Sequence, residues 1–183
     1  MTDSMKEKKL LFLVRTKKDK HAFGGLYDLY VEKIYRFVYF KINNKEEAED
    51  LVSEVFLKTW NYLIEYSEKE ITSFSGLIYR ITRNAVVDYY RKKANHPEQP
   101  LDYLEIDIAD ESEEMEKLSI SQDVEQVMKL MKRMKQDYQE IVMLRFVEEL
   151  NINEISQILD KSKVSVRVTL HRALKKLKEL SDQ

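Results

Sequence analysis

Residues 152–178 read INEISQILDKSKVSVRVTLHRALKKLK, and this stretch decides the fold. Two helical patterns flank Asp160-Lys161-Ser162. Ile155, Ile158 and Leu159 recur at three- and four-residue spacing before it, and Val166, Leu170, Ala173 and Leu177 do so after it. With only three residues between them the two apolar faces must meet, so the stretch is a short helix, a tight turn and a longer helix: helix-turn-helix geometry. Ser162 stands where its hydroxyl caps the second helix, whose free N–H groups then favour a phosphate. From Lys163 to Lys178 every charge is positive (Lys163, Arg167, Arg172, Lys175, Lys176, Lys178). Lys163, Ser165, Arg167 and Val168 lie off the apolar face near the amino end, where a helix in a major groove meets base edges. Arg172, Lys175 and Lys176 lie further along and suit backbone phosphates. The same residues also suit a solvated basic face on an ordinary helical hairpin.

Upstream, periodicity predicts helices over about 122–134 and 137–149. Before them the character changes. Asn95-His96-Pro97-Glu98-Gln99-Pro100 breaks helix, and Glu98 to Glu116 holds nine acids and no base. Self-repulsion and few apolar residues predict a flexible acidic linker over 95–120. Nearer the amino end, Phe23, Leu26, Tyr30, Ile34, Phe37 and Val38 predict a helix over about 22–42. Asn44 and Glu47 have capping-box spacing ahead of a helix with Ala48, Leu51, Val52, Val55, Phe56 and Thr59 on one side. Residues 61–73 read as a loop. A third helix places Leu77, Ile78, Ile81, Ala85 and Tyr89 inward and ends in Arg91-Lys92-Lys93. The expected architecture is all-α: a helical domain over 1–94, the linker over 95–120, and a second helical domain over 121–183 carrying the helix-turn-helix.

Composition narrows the function. The chain has 183 residues, three glycines, two prolines and no cysteine, which is helical and excludes disulfides and thiolate metal sites. His21, His96 and His171 have no zinc-ligand spacing, no apolar run approaches the roughly 20 residues of a membrane span, and Leu10–Val14 lacks the features of a secretion signal. A cytoplasmic protein without metal, cofactor or membrane insertion is expected. Net charge is only −2, yet the charges are segregated. Residues 79–93 carry Arg80, Arg83, Arg91, Lys92 and Lys93 against Asp88 alone, which points to different charged partners for different parts of the molecule.

Leu159–Arg167 together with Leu170–Leu177 resembles the closing motif of extracytoplasmic-function (ECF) sigma factors, and Tyr138–Phe146 with Leu150 and Asn153–Ser156 resembles the preceding part of that domain. The family commonly has glycine where Asp160 stands; Asp tolerates left-handed backbone better than most residues. Ala48–Trp60 resembles the family's polymerase-docking helix. Glu46, Asp50 and Glu54, four apart, line one face there, and the resemblance implies that they dock on core RNA polymerase; such a stripe is also an ordinary solvated helix face. Phe74–Arg91 resembles the promoter-opening segment, with Leu77 in place of a common tryptophan. Opening DNA requires aromatic faces and polar groups for an unstacked base and cations for its backbone. Tyr62, Tyr66 and Phe74 are the expected platforms, and Arg80, Arg83, Asn84, Arg91 and Lys92 the expected minus-ten contacts, with Tyr79 and Tyr89 in the core.

The resemblance spans about 20–94 and 122–180. It implies a non-enzymatic sigma factor that binds the clamp and flap regions of core RNA polymerase, melts the minus-ten element with its first domain and reads the minus-thirty-five duplex with its second. An anti-sigma factor is an implied partner. Two other readings fit the residues alone: a stand-alone helix-turn-helix transcription regulator, and a helical adaptor whose basic faces bind acidic partners.

Overall fold

The computed structural model describes residues 3–71, 73–93 and 122–182, and the linker expected over 95–120 lies outside them. The described residues are all-α. The chain divides into two compact units with the boundary between Asn95 and His96.

In the first unit, α1 spans Asp3–Lys17, α2 Lys20–Ile42, α3 Lys45–Glu65 and α4 Phe74–Lys93. Asp19 starts α2 by accepting from the backbone N–H groups of His21 (2.9 Å) and Ala22 (3.1 Å). Asn43 ends it in left-handed backbone, φ 54°. Leu26, Tyr30, Ile34, Phe37 and Val38 form its buried stripe, as their spacing predicts. Neighbouring helices close over that stripe with aromatic edges. Tyr30 meets Phe74 of α4 at 5.0 Å between ring centroids, and Phe37 meets Tyr79 at 5.6 Å; such pairs add about 0.5–1.5 kcal/mol beyond area burial.

Helix α1 is an addition to the sequence reading. Leu11 and Val14 are its buried residues. Gly25 of α2 lets it come close: a Cβ there would stand 3.1 Å from the Leu10 side chain. Helix α3 corrects the expected loop over 61–73, because it continues to Glu65. Leu63, fully buried, extends the stripe of Val52, Val55, Phe56 and Thr59 by one more turn, so the helix has a reason to persist. The loop proper begins at Tyr66.

In the second unit, α5 spans Gln122–Met131, α6 Gln136–Val142, α7 Ile152–Leu159 and α8 Lys163–Ser181. The helix expected over 137–149 is not continuous. After Val142 it widens into a π-helical turn, Met143–Val147, closed by Glu148 N–H to the Met143 carbonyl at 3.0 Å and by Arg145 Nη1 to the Leu150 carbonyl at 3.1 Å. The core gathers Met128 and Met131, Ile141 through Leu144, Ile155, Ile158, Leu159, Val166, Ala173 and Leu180. Leu170 and Leu177, expected across the turn, are half-buried, and Leu180 completes the apolar face one turn further along.

Candidate nucleic-acid interface

Three polar caps bound α7 and the turn that leads into α8. Asn151 and Glu154 form a reciprocal capping box at the start of α7, at 3.1 Å and 2.9 Å. Asp160 ends α7 in left-handed backbone, φ 52° and ψ 44°, as expected for a residue standing in for glycine. The Lys161 N–H then returns to the Ser156 carbonyl at 3.0 Å, and its ammonium bonds Asp137 of α6 at 3.0 Å. Ser162 caps α8 through the Ser165 N–H at 3.1 Å, leaving the helix amino-terminus open to an anion.

Lys163, Ser165, Arg167, Val168, Arg172, Lys175 and Lys176 are all exposed on α8. Lys176 is the one among them with a described ion pair, to Glu179 at 3.3 Å. The sequence reading missed Val164, which is 66% exposed and lies one turn before Val168. The i, i+4 spacing of two valines on the polar side was the available signal. Apolar side chains in that position can meet thymine methyl groups.

On α3, Glu46, Asp50 and Glu54 are exposed along one face, as expected. Glu54 differs from the other two, since Lys58 one turn on pairs with it at 2.6 Å. That hydrogen bond holds the Glu54 carboxyl below its usual range, and the field of Lys92 from α4 adds to the effect. Leu57, 61% exposed, lies on the same face and was also missed. Glu47 realises only half of the expected capping box. Its N–H bonds Asn44 at 3.0 Å, but its carboxylate turns to α4, accepting from the Tyr89 hydroxyl and pairing with Lys93 at 3.3 Å. The Tyr89 hydrogen bond, with Lys93 assisting, lowers the Glu47 pKa. Next to it, burial pushes the Tyr90 hydroxyl up to about 12 while it donates to the Lys41 carbonyl. The basic end of α4 is thus tied to α2 and α3.

Helix α4 places its predicted contacts unevenly. Arg80, Asn84 and Arg91 are exposed, and their spacing puts them on one face, with Arg83 half-buried beside them. Arg91 is within 3.6 Å of Asp88. Lys92 lies about a third of a turn away and faces the acidic side of α3. Phe74 requires correction. It is fully buried against Tyr30, because the first turn of α4 is the part most deeply seated in the core, and it offers no open ring face. Tyr79 is in the core as expected, and Tyr89 is half-buried. Tyr62 and Tyr66, at the end of α3, meet at 4.9 Å between ring centroids with their planes tilted by 44°, and the Lys69 ammonium sits 4.0 Å above the Tyr66 ring.

Among the described residues no group of His, Asp and Glu is arranged to hold a metal ion, and no helix is long and apolar enough to cross a membrane.

The family model for sigma-70 region 2 matches residues 26–96 and that for sigma-70 region 4 matches residues 124–177. Over 183 aligned residues the chain is 28% identical to the ECF RNA polymerase sigma factor SigW of Bacillus subtilis, covering 91% of this chain and 92% of that protein. It is 29% identical to the ECF sigma factor BldN of Streptomyces coelicolor over 87% of this chain, a span that covers 60% of BldN. The fold is similar to that of CnrH, solved with the cytosolic domain of CnrY, at a TM-score of 0.70, 17% identity and 97% coverage of both chains. It is also similar to RpoE of Bartonella quintana, solved with the anti-sigma factor NepR, at a TM-score of 0.63 and 18% identity, covering 87% of this chain and 96% of that one.

Proposed function

Because the chain belongs to the ECF group of the sigma-70 family, whose members direct RNA polymerase to promoters, we propose how its surfaces divide that work. The face of α3 with Glu46, Asp50 and Glu54 docks on a basic surface of the polymerase clamp, with the exposed Leu57 as its apolar anchor. Arg80, Arg83, Asn84 and Arg91 hold the separated strand of the minus-ten element, and the loop that begins at Tyr66 receives an unpaired base. Lys92 contributes to the field beside α3 rather than to that row. In the second unit α8 enters the major groove of the minus-thirty-five element. There Lys163, Ser165, Arg167 and Val168, joined by Val164, reach base edges, while Arg172, Lys175 and Lys176 hold phosphates. The second unit also meets the polymerase flap.

The family is one of non-catalytic initiation factors, so phosphoryl transfer stays with the polymerase core. The protein acts in the cytoplasm, and an anti-sigma factor is its proposed restraint, by analogy with the complex of RpoE with the anti-sigma factor NepR.

The observation that carries this reading is the arrangement of charge: one acidic face and two basic ones, each exposed on a different helix. It is tested by capture of purified core polymerase in the absence of DNA. The native chain should bind. Asp50→Lys with Glu54→Lys should abolish capture while circular dichroism stays unchanged, and run-off transcription from genomic fragments should fail with it. Unchanged capture by the double variant would sink the docking face. A chain that binds DNA but never polymerase would be a stand-alone regulator.

A further inference from the structure

Helix α1 precedes the span that matches sigma-70 region 2, which begins at residue 26. Its Arg15 reaches across to the α3–α4 loop. There its Nη2 donates to the main-chain carbonyls of Ser67 and Lys69, more than fifty residues away in sequence. Its Nε is buried and has no hydrogen-bond partner among the described residues, so the two loop carbonyls are what hold the guanidinium. Fixing α1 does not require these bonds. Leu11 and Val14 are already buried, Leu10 packs on Gly25, and Tyr30 donates to Glu7. The loop is the partner in need. Glu68, Lys69 and Glu70 are exposed, and Ser67 and Ile71 only half-buried, so little apolar burial orders it.

Lys69 is bound at both ends. Its carbonyl accepts from Arg15, its N–H bonds the Tyr66 carbonyl at 3.0 Å, and its ammonium covers the Tyr66 ring. A base entering the loop would take that ring face and release the ammonium toward the phosphate of the same nucleotide. Any freedom in the Lys69 backbone would have to be lost at that moment, which lowers affinity and blurs the choice between bases.

We propose that Arg15 is a positioning residue for minus-ten recognition, holding the loop in the one geometry in which Tyr66 and Lys69 receive the unpaired base. The proposal rests on the reading of this loop as the base-capturing surface. It is tested with holoenzyme reconstituted from the full chain, on promoter fragments that differ at single positions of the melted segment. Open-complex formation is followed by permanganate reactivity of unpaired thymines. Arg15→Gln should reduce the rate ratio between best and worst base at one position by roughly 2- to 30-fold, with core capture and closed-complex binding unchanged. Arg15→Lys, which keeps a donor but loses the fork, should fall between. Glu7→Gln loosens α1 without touching the loop and should leave the ratio alone. Tyr66→Ala tests the loop itself. If Tyr66→Ala collapses the ratio and Arg15→Gln preserves it, Arg15 has no positioning role. Equal effects of Glu7→Gln and Arg15→Gln would reduce the contact to general anchoring of α1. If Tyr66→Ala also preserves the ratio, the base-capturing reading falls and the proposal falls with it.

Discussion

Helices α4 and α8 both carry the cations proposed to meet DNA, but they are placed in opposite ways. Nine of the twenty residues of α4 are buried, against three of nineteen in α8. Helix α4 is a core element that shows one narrow row of polar side chains, and its basic end is pinned by Glu47, Tyr89 and Tyr90. Helix α8 rests on its unit by a thin apolar edge and leaves most of its circumference free. The difference suits the two tasks proposed for these helices. A groove-reading helix must be enclosed by duplex on several sides. A surface that captures a single flipped base needs few groups, held rigidly, because every ordered rotamer on the protein side is an entropy already spent.

The comparison breaks most directly at Phe74. Phe74→Ala should destabilise the first unit by about 3–5 kcal/mol, read by urea unfolding through the fluorescence of Trp60, the chain's single tryptophan. Val168→Ala on α8 should change stability by no more than about 0.5 kcal/mol. Similar costs for the two would show that α4 is not the embedded partner. Next in size is a difference within α8. Arg167→Ala should weaken binding by about 1–3 kcal/mol at one minus-thirty-five base pair and relax the preference there. Lys175→Ala should weaken all sequences alike and reduce the salt slope by about one unit. Indistinguishable effects would remove the division between base and phosphate contacts.

The smallest effect tests the pinned end of α4. Glu47 titrates below its ordinary value of 4.5 because the Tyr89 hydroxyl and Lys93 favour its charged form. Its contribution to stability is therefore present above that ordinary value and lost as the pH falls through the lowered one. The stability difference between native protein and Glu47→Gln should shrink to nothing on acidification below pH 4.5, with no change between pH 6 and 8. A constant difference across the acid range would show that the Tyr89 contact does not depend on the charge.

Most of the fold was legible because it rests on local signals. The stripe from Leu26 to Val38, the Asn44 and Ser162 caps and the Asp160 stop each depend on neighbours within four residues. What sequence could not reveal depends on distant partners. Phe74 looked available because it follows a loop of polar residues; only the packing of α4 on Tyr30 removes it from the surface. Arg15 gave no local sign, since its partners are backbone carbonyls that any residue type would supply. The π-helical turn at Met143 is invisible for the same reason: its residues suit an α-helix, and the extra residue is absorbed to meet Leu150. Glu47 shows the intermediate case, where a cap was correctly located but its side chain was claimed by Tyr89.

The chain's bends have an evolutionary and practical consequence. Among the described residues with positive φ are Lys18, Asn43, Glu149 and Asp160, whereas Gly24, Gly25 and Gly76 all lie within helices. Left-handed backbone costs an ordinary residue roughly 1–2 kcal/mol, of which glycine would recover part, less the entropy it adds to the unfolded chain. The molecule therefore carries unclaimed thermal tolerance at its corners. Glycine at Lys18 and Glu149 should raise the melting temperature while leaving both basic faces and the acidic one as they are, so durability and recognition can be tuned as separate properties.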